Sequence, residues 1–180
     1  MKILAVGDLV GESGVKKLKE VLPNIRKEKQ IDFVIVNGEN SAGGMGITIS
    51  IFNELKRLNI DCITMGNHTW GKKDIFNIID NKKLLRPANY PRDVLGNGYG
   101  IYQCNGKKIA VINLIGRASM NVLSENPFFL ARQKISSTPS IMSNFCVHFL
   151  IQLPQLTQGF SAVSGSHPSS TSSFLNTCKS

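Results

Sequence analysis

Short apolar runs alternate with longer stretches of helical spacing over the first 80 residues. The runs 3–6, 33–36 and 62–65 are four residues long and mostly branched, which is typical of buried strands. Between them, apolar residues recur every three or four positions, which predicts helices over 15–29 and around 51–58. This alternation predicts βαβ units and an α/β fold with a mixed, mainly parallel sheet flanked by helices.

Local signals refine this pattern. Pro23 interrupts the first helical stripe, so we expect it to split or bend that helix, and Ser50 is expected to cap the second. Apolar residues over 75–79 predict a third helix. Two further apolar runs flank Asn105-Gly106, a strong hairpin signal, so we expect an antiparallel pair to join the sheet.

The chain changes character after residue 128. Residues 129–180 contain no Asp or Glu, and 12 of these 52 residues are Ser. We therefore expect two parts: residues 1–128, the N-terminal part of an α/β domain, and residues 129–180, a Ser-rich tail with low order over most of its length. A reading-frame change or a truncation would explain such a tail.

Composition narrows the function classes. The net charge is +9, but the lysines occur in scattered pairs without interleaved aromatic residues, which disfavours dedicated nucleic-acid binding and leaves an anionic substrate open, nucleic acid included. Four distant cysteines without a C-x-x-C pair argue against a disulfide framework or a structural zinc site. No apolar run is long enough to cross a bilayer, and no secretory signal is evident, so we expect a cytoplasmic location without membrane partners.

Polar residues follow each of the three predicted strands. Asp8 follows the first strand, Glu39 and Asn40 follow the second, and Asn67 and His68 follow the third. In an open α/β sheet, ligands bind at the carboxyl ends of the strands, so these side chains are expected to meet at one rim. Hard oxygen ligands beside an imidazole indicate a hydrolytic site with two cations.

Each cluster also has a structural interpretation. A Gly-Asp pair is common in turns, the glycine-rich stretch after Asn40 is typical of a surface loop, and an isolated histidine is more often structural than catalytic. Trp70 is more readily explained by packing than by substrate stacking. A dinucleotide-binding site is disfavoured because the chain lacks the G-x-G-x-x-G fingerprint.

Taken together, the motifs point to a known family. Segments 2–11, 37–44 and 66–70, with 86–91 and 111–117, resemble the YmdB-like family of bacterial phosphodiesterases, within the calcineurin-like metallophosphoesterases. The resemblance covers about residues 1–128. It implies a sandwich-type fold that is incomplete at the C-terminus of this chain.

The resemblance also implies an activity and roles for residues. Such proteins hydrolyse phosphodiesters, including 2′,3′-cyclic nucleotides, with two divalent metal ions, commonly iron or manganese. Asp8 and Asn40 would bind one ion, Glu39 would bridge both ions, and Asn67 would bind the other. His68 would act near the scissile phosphate, and a homo-oligomer is open.

The chain departs from the family pattern in its last third. The family continues with a strand that ends in histidine and with a Gly-x-His-x-His loop, whereas this chain offers only His148 and His167 there. We assign neither as a ligand. We therefore expect little or no activity from this chain. The alternative is a catalytically inactive remnant that binds nucleotides or a partner protein.

Overall fold

A four-stranded parallel sheet forms one layer of the protein. The computed structural model describes residues 1–117 and 124–137, together with the backbone of 145–152. The strands of the first sheet lie in the order β1 to β4, which is also their order along the chain: Ile3–Val6 (β1), Phe33–Asn37 (β2), Cys62–Thr64 (β3) and Leu84–Leu85 (β4). The first three strands match the prediction, whereas β4 is only two residues long and left no periodic signal.

Two α-helices connect these strands. Helix α1 spans Gly11–Lys29 and is continuous through Pro23, so the expected split is wrong. The buried residues Leu18 and Leu22 hold the turns beside Pro23 against the core, and this packing offsets the missing backbone donor. Helix α2 spans Ile49–Arg57 and begins before Ser50.

Two details of the helix predictions need correction. Thr48, not Ser50, caps α2, because its extended backbone places Oγ1 3.3 Å from the donor Ile51 N. The expected third helix is a short 3₁₀ helix, Lys73–Asn77. In this helix Ile75 is buried and Phe76 is exposed, so a single apolar contact faces the core.

A second sheet contains the predicted hairpin. Strands β5 (Tyr99–Cys104) and β6 (Lys107–Ile115) pair antiparallel around Asn105 and Gly106, whose φ angles of 49° and 74° suit a tight turn. The hairpin was expected to join the first sheet. Instead it forms a separate sheet, in which β7 (Phe145–Gln152) pairs parallel to the other side of β6.

The alternating faces of the first sheet explain the layers. Leu4 and Val36 belong to the apolar core that includes the buried faces of α1 and α2. Ile3, Phe33 and Cys62 face the other way and pack with β6. The predicted α/β sandwich is thus confirmed, and Cys62 lies in it as a small buried residue.

The tail lies partly outside the described residues. The predicted boundary at residue 128 falls inside helix α3, Pro127–Ser136, and strand β7 lies beyond it. The rest of the tail, 138–144 and 153–180, is not described, so its order and origin stay predictions. Among the described residues, no helix combines the length and the apolar character that a membrane span requires.

Candidate active site

The parallel register places three strand ends side by side. Val6 of β1 pairs with Val36 of β2, and Asn37 of β2 pairs with Thr64 of β3. The loops that follow these strands are therefore neighbours, as predicted. The backbone joins the first two loops, because Leu9 N donates to Asn37 O at 3.0 Å and Gly11 N donates to Asn40 O at 2.9 Å.

Gly11 makes the second of these bonds in a conformation that favours glycine. Its φ angle is +61°, in the left-handed region, where a side chain would introduce strain. Helix α1 begins at this residue without a side-chain cap. The turn at Gly11 thus directs the chain from the Asp8 loop into the helix and holds this loop against Asn40.

Asn40 connects two of the predicted site residues. Its Nδ2 donates to Asp8 Oδ1 at 2.6 Å, and its Oδ1 lies 2.5 Å from His68 Nδ1. Asn40 is itself buried. The structure therefore brings Asp8, Asn40 and His68, which come from three different loops, into one hydrogen-bonded chain.

Glu39 belongs to the same cluster through a hydrogen bond to the backbone of His68. Its side chain is 2% exposed, and Oε2 accepts a hydrogen bond from the backbone N–H of His68 at 3.0 Å. Burial raises the pKa of Glu39 from 4.5 to about 7, the hydrogen bond from His68 opposes this rise, and the charge of Asp8 adds to it. Two carboxylates thus lie close enough to repel each other.

The cluster has the properties of a cation site. Asp8 Oδ2 is buried without a hydrogen-bond partner among the described residues. A buried acceptor without a donor is costly, as is a buried carboxylate near a second one, and a divalent cation would relieve both costs. Carboxylate and amide oxygens are hard ligands of the kind that such cations accept. The residues therefore fit the metal that the sequence predicts.

The described residues contain no group of three or more His, Cys, Asp or Glu side chains arranged to hold a metal ion. Half of the four predicted ligands are amides, which such a group does not include. Asn67 is half-buried, and its side chain makes no hydrogen bond within the described part of the chain. Asn67 directly precedes His68 in the chain, but its side chain is not hydrogen-bonded to the other predicted ligands.

Sequence reasoning missed Tyr90 as a residue that positions the third loop. Its hydroxyl donates to Gly66 O at 3.0 Å, and the hydroxyl of Thr69 donates to the same carbonyl at 2.6 Å. Burial raises the pKa of Tyr90 to about 12. These bonds fix the turn that carries Asn67 and His68. The signal was present in the segment 86–91, which contributed to the family resemblance but was given no role at the site.

Asn113 was also missed, and it joins the second sheet to the site. It is buried in β6, and its Nδ2 donates to Met65 O at 2.6 Å and to Leu85 O at 2.9 Å. Met65 directly precedes the loop that contains His68. A polar residue within the apolar run of β6 was the available signal, because buried amides need partners.

Comparison with known structures defines the class of the fold. A phosphatase from Mycoplasma pneumoniae aligns with a TM-score of 0.75 at 30% identity, over 85% of this chain and 56% of that one. The NAD nucleotidase of Haemophilus influenzae aligns with a TM-score of 0.59 over 83% of this chain and 38% of that one, and its 14% identity shows the fold alone. The architecture is that of the phosphatase and nucleotidase sandwiches.

Within this class the family is defined by sequence. The model of the YmdB-like protein family matches residues 4–152, and the chain belongs to this family. The 2′,3′-cyclic-nucleotide 2′-phosphodiesterase of Bacillus subtilis is 43% identical over 150 residues, which are 81% of this chain and 56% of that protein. The chain spans about half the length of the curated relatives it matches.

Proposed function

We propose that this chain carries the metal-binding and proton-transferring part of a phosphodiesterase that acts on small substrates such as 2′,3′-cyclic nucleotides. The observation that carries the proposal is the cluster of Asp8, Glu39, Asn40 and His68 at the ends of three parallel strands. The name of the Bacillus subtilis relative supports the substrate class.

The oxygen atoms of Asp8, Glu39, Asn40 and Asn67 would hold two divalent ions, with iron or manganese favoured by the family resemblance. When bound, the ions supply Lewis-acid polarisation of the phosphoryl group. Glu39 is suited to the bridging position because it is the most deeply buried carboxylate of the set. Asp8 contributes Oδ2, which makes no hydrogen bond within the described residues.

His68 would donate a proton to the leaving oxygen. Its Nδ1 is engaged with Asn40, so Nε2 is the nitrogen available to a substrate. The imidazolium form of His68, which carries hydrogens on both nitrogens, would donate a hydrogen bond from Nε2 to the phosphate and then transfer that proton to the leaving alkoxide, so that the ring returns to the form protonated on Nδ1. The backbone N–H of His68 is held by Glu39, which fixes the position of the ring relative to the carboxylates.

We also propose that this chain is a weaker enzyme than the relatives it resembles. Besides His68, the sequence offers only His148 and His167, and neither fits the pattern in which the family supplies its further imidazole ligands. A ligand set dominated by amides and carboxylates binds transition-metal ions less tightly than one completed by imidazoles. The homo-oligomer and the cytoplasmic location stay predictions.

Hydrolysis of bis-p-nitrophenyl phosphate with added Mn²⁺ tests the proposal. We expect slow, metal-dependent turnover that Asp8→Ala abolishes, whereas Asp80→Ala, which removes an exposed carboxylate far along the chain, leaves it unchanged. Turnover that survives Asp8→Ala would contradict the assignment of the site.

A non-catalytic nucleotide-binding or protein-binding module is the second candidate. It is favoured by the departure of the sequence from the histidine pattern of the family, because each metal site would then keep only two or three protein ligands. Metal content separates the two functions. About two Mn²⁺ ions per chain after dialysis would support the enzyme, and a content near zero would support the module.

A further inference from the structure

An exposed pair of aromatic rings lies just beyond the candidate site. Trp70 is 37% exposed and Phe76 is 58% exposed. Their ring centroids are 5.8 Å apart and their planes are inclined by 26°, which is a stacked arrangement. Phe76 therefore supports the indole of Trp70, while much of both rings stays in contact with solvent. Packing in the core does not account for such a pair.

The pair is tied closely to His68. Only one residue, the buried Thr69, separates Trp70 from His68, so their Cα atoms are at most about 7 Å apart. Gly71 N donates to His68 O at 3.0 Å, which closes a turn around Trp70. The indole is thus anchored on the same short turn as the proposed proton donor.

The loop after Glu39 lies against the turn that carries Trp70. Gly46 N donates to Glu39 O at 2.5 Å, so this loop folds back on the site. The side chain of Met45 is half-exposed and packs so closely on Gly71 that a Cβ there would lie 2.6 Å from its Cγ. The loop that follows Glu39 therefore packs against the turn that carries Trp70.

Two lysines lie close to Trp70 along the chain. Lys72 and Lys73 follow Gly71, and neither forms an ion pair with a described residue. An aromatic platform with cationic side chains beside it is the combination that holds a base and an anionic backbone in single-stranded nucleic-acid sites. Here it occurs beside a site with the donors for a phosphate group.

We propose that Trp70, supported by Phe76, stacks on the base of a nucleotide whose phosphate lies at the Asp8–His68 cluster. This inference rests on the proposed function and adds to it the part of the substrate that is recognised. Every base offers a flat π-surface, so the platform favours nucleotides over other phosphodiesters and discriminates weakly among the four bases.

Tryptophan fluorescence gives a direct test, because Trp70 is the single tryptophan of the 180 residues. The full chain is titrated with adenosine 3′-monophosphate and, in parallel, with ribose 5-phosphate, both with Mn²⁺. We expect saturable quenching by the nucleotide and little change with the sugar phosphate. Equal responses to both probes, or no response to either, would overturn the proposal.

Calorimetric titration of variants extends the test to the binding energy. We expect Trp70→Ala to weaken binding of adenosine 3′-monophosphate about 5-fold to 150-fold, and Trp70→Phe to retain most of the affinity. Phe128→Ala removes an exposed ring on α3 and serves as the matched control. Unchanged nucleotide affinity in Trp70→Ala would refute base stacking.

The outcomes also separate this inference from the proposed function. Turnover of bis-p-nitrophenyl phosphate that depends on Asp8, combined with unchanged nucleotide affinity in Trp70→Ala, would reject the platform and keep the enzyme. Base-dependent quenching without any turnover would support the platform and reject the enzyme.

Discussion

The amide oxygen of Asn40 lies 2.5 Å from Nδ1 of His68, while the amide nitrogen of Asn40 donates to Asp8. The second bond decides the first, because a carboxylate accepts and the amide must therefore present its nitrogen to Asp8. The oxygen then faces His68, so Nδ1 carries the hydrogen. In the neutral ring Nε2 is the unprotonated nitrogen.

This relationship predicts the tautomer of His68. Nitrogen NMR of the labelled protein should show the neutral ring mainly in the Nδ1–H form. Asn40→Ala removes an acceptor worth about 1 kcal/mol and should reduce this preference by about fivefold. Asn77→Ala, at an exposed position, is the control and should leave the spectrum of His68 unchanged. A wild-type spectrum dominated by the Nε2–H form would refute the assignment.

Glu39 predicts how the stability of the metal-free protein depends on pH. Because its folded pKa is raised from 4.5 to about 7, its contribution is fully present below pH 4.5 and is lost as the pH rises to about 7. The loss amounts to about 3 kcal/mol. Other carboxylates also titrate, so the contribution of Glu39 is isolated by comparison with Glu39→Gln.

Urea unfolding in the presence of a chelator measures this contribution. The free energy of unfolding of Glu39→Gln should gain about 3 kcal/mol on that of the wild type between pH 4.5 and pH 8. If the two pH profiles run parallel, Glu39 has an ordinary pKa and the electrostatic argument for a cation site loses its main support.

Asn113 predicts that the second sheet contributes to the position of the site. Asn113→Ala leaves the carbonyls of Met65 and Leu85 without this donor, which should lower the free energy of unfolding by about 2–4 kcal/mol. Gln103→Ala, on the exposed side of β5, should change it by less than about 0.5 kcal/mol. Chemical denaturation of both variants provides the comparison, and similar effects would show that these bonds are dispensable.

Two glycines of the loop after Asn40 allow the cost of backbone strain to be measured separately from the cost of a steric clash. Gly43 and Gly46 have φ angles of +66° and +76°, so alanine at either position should cost about 1–2 kcal/mol of conformational strain. A Cβ on Gly43 meets nothing within 4 Å, whereas one on Gly46 lies 2.9 Å from Lys72 N. Thermal unfolding should therefore rank Gly46→Ala clearly below Gly43→Ala, and equal melting temperatures would contradict the close approach.

The strand ends of the site could be predicted because two simple rules act together. Apolar runs locate β1 to β3, and parallel connection brings the residues after these strands to one rim. This was enough to bring together Asp8, Glu39, Asn40 and His68. The same rules could not place the side chain of Asn67, because its direction depends on the turn that Tyr90 and Thr69 hold.

Other features depend on distant packing that local patterns do not encode. The hairpin around Asn105 was predictable from its turn residues, but its membership in a second sheet follows from the contact of Ile109 and Val111 with the far side of the first sheet. Pro23 breaks a local rule, and the buried face of α1 overrides it. The stacking of Trp70 and Phe76 could not be predicted, because Phe76 lies in a short 3₁₀ helix. The apolar pattern over 75–79 predicted an ordinary helix there instead.

The pairing of Val6 with Val36 and of Asn37 with Thr64 also limits how this protein can vary. Side chains alternate between the two faces of a strand, so one added or deleted residue within β1 would exchange the side chains that pack on the helices with those that pack on the second sheet. Insertions and deletions that leave the site intact should therefore occur only in the parts of the connecting segments that lie away from the strand ends. The residues directly after the strands are held together by backbone hydrogen bonds and should not tolerate them.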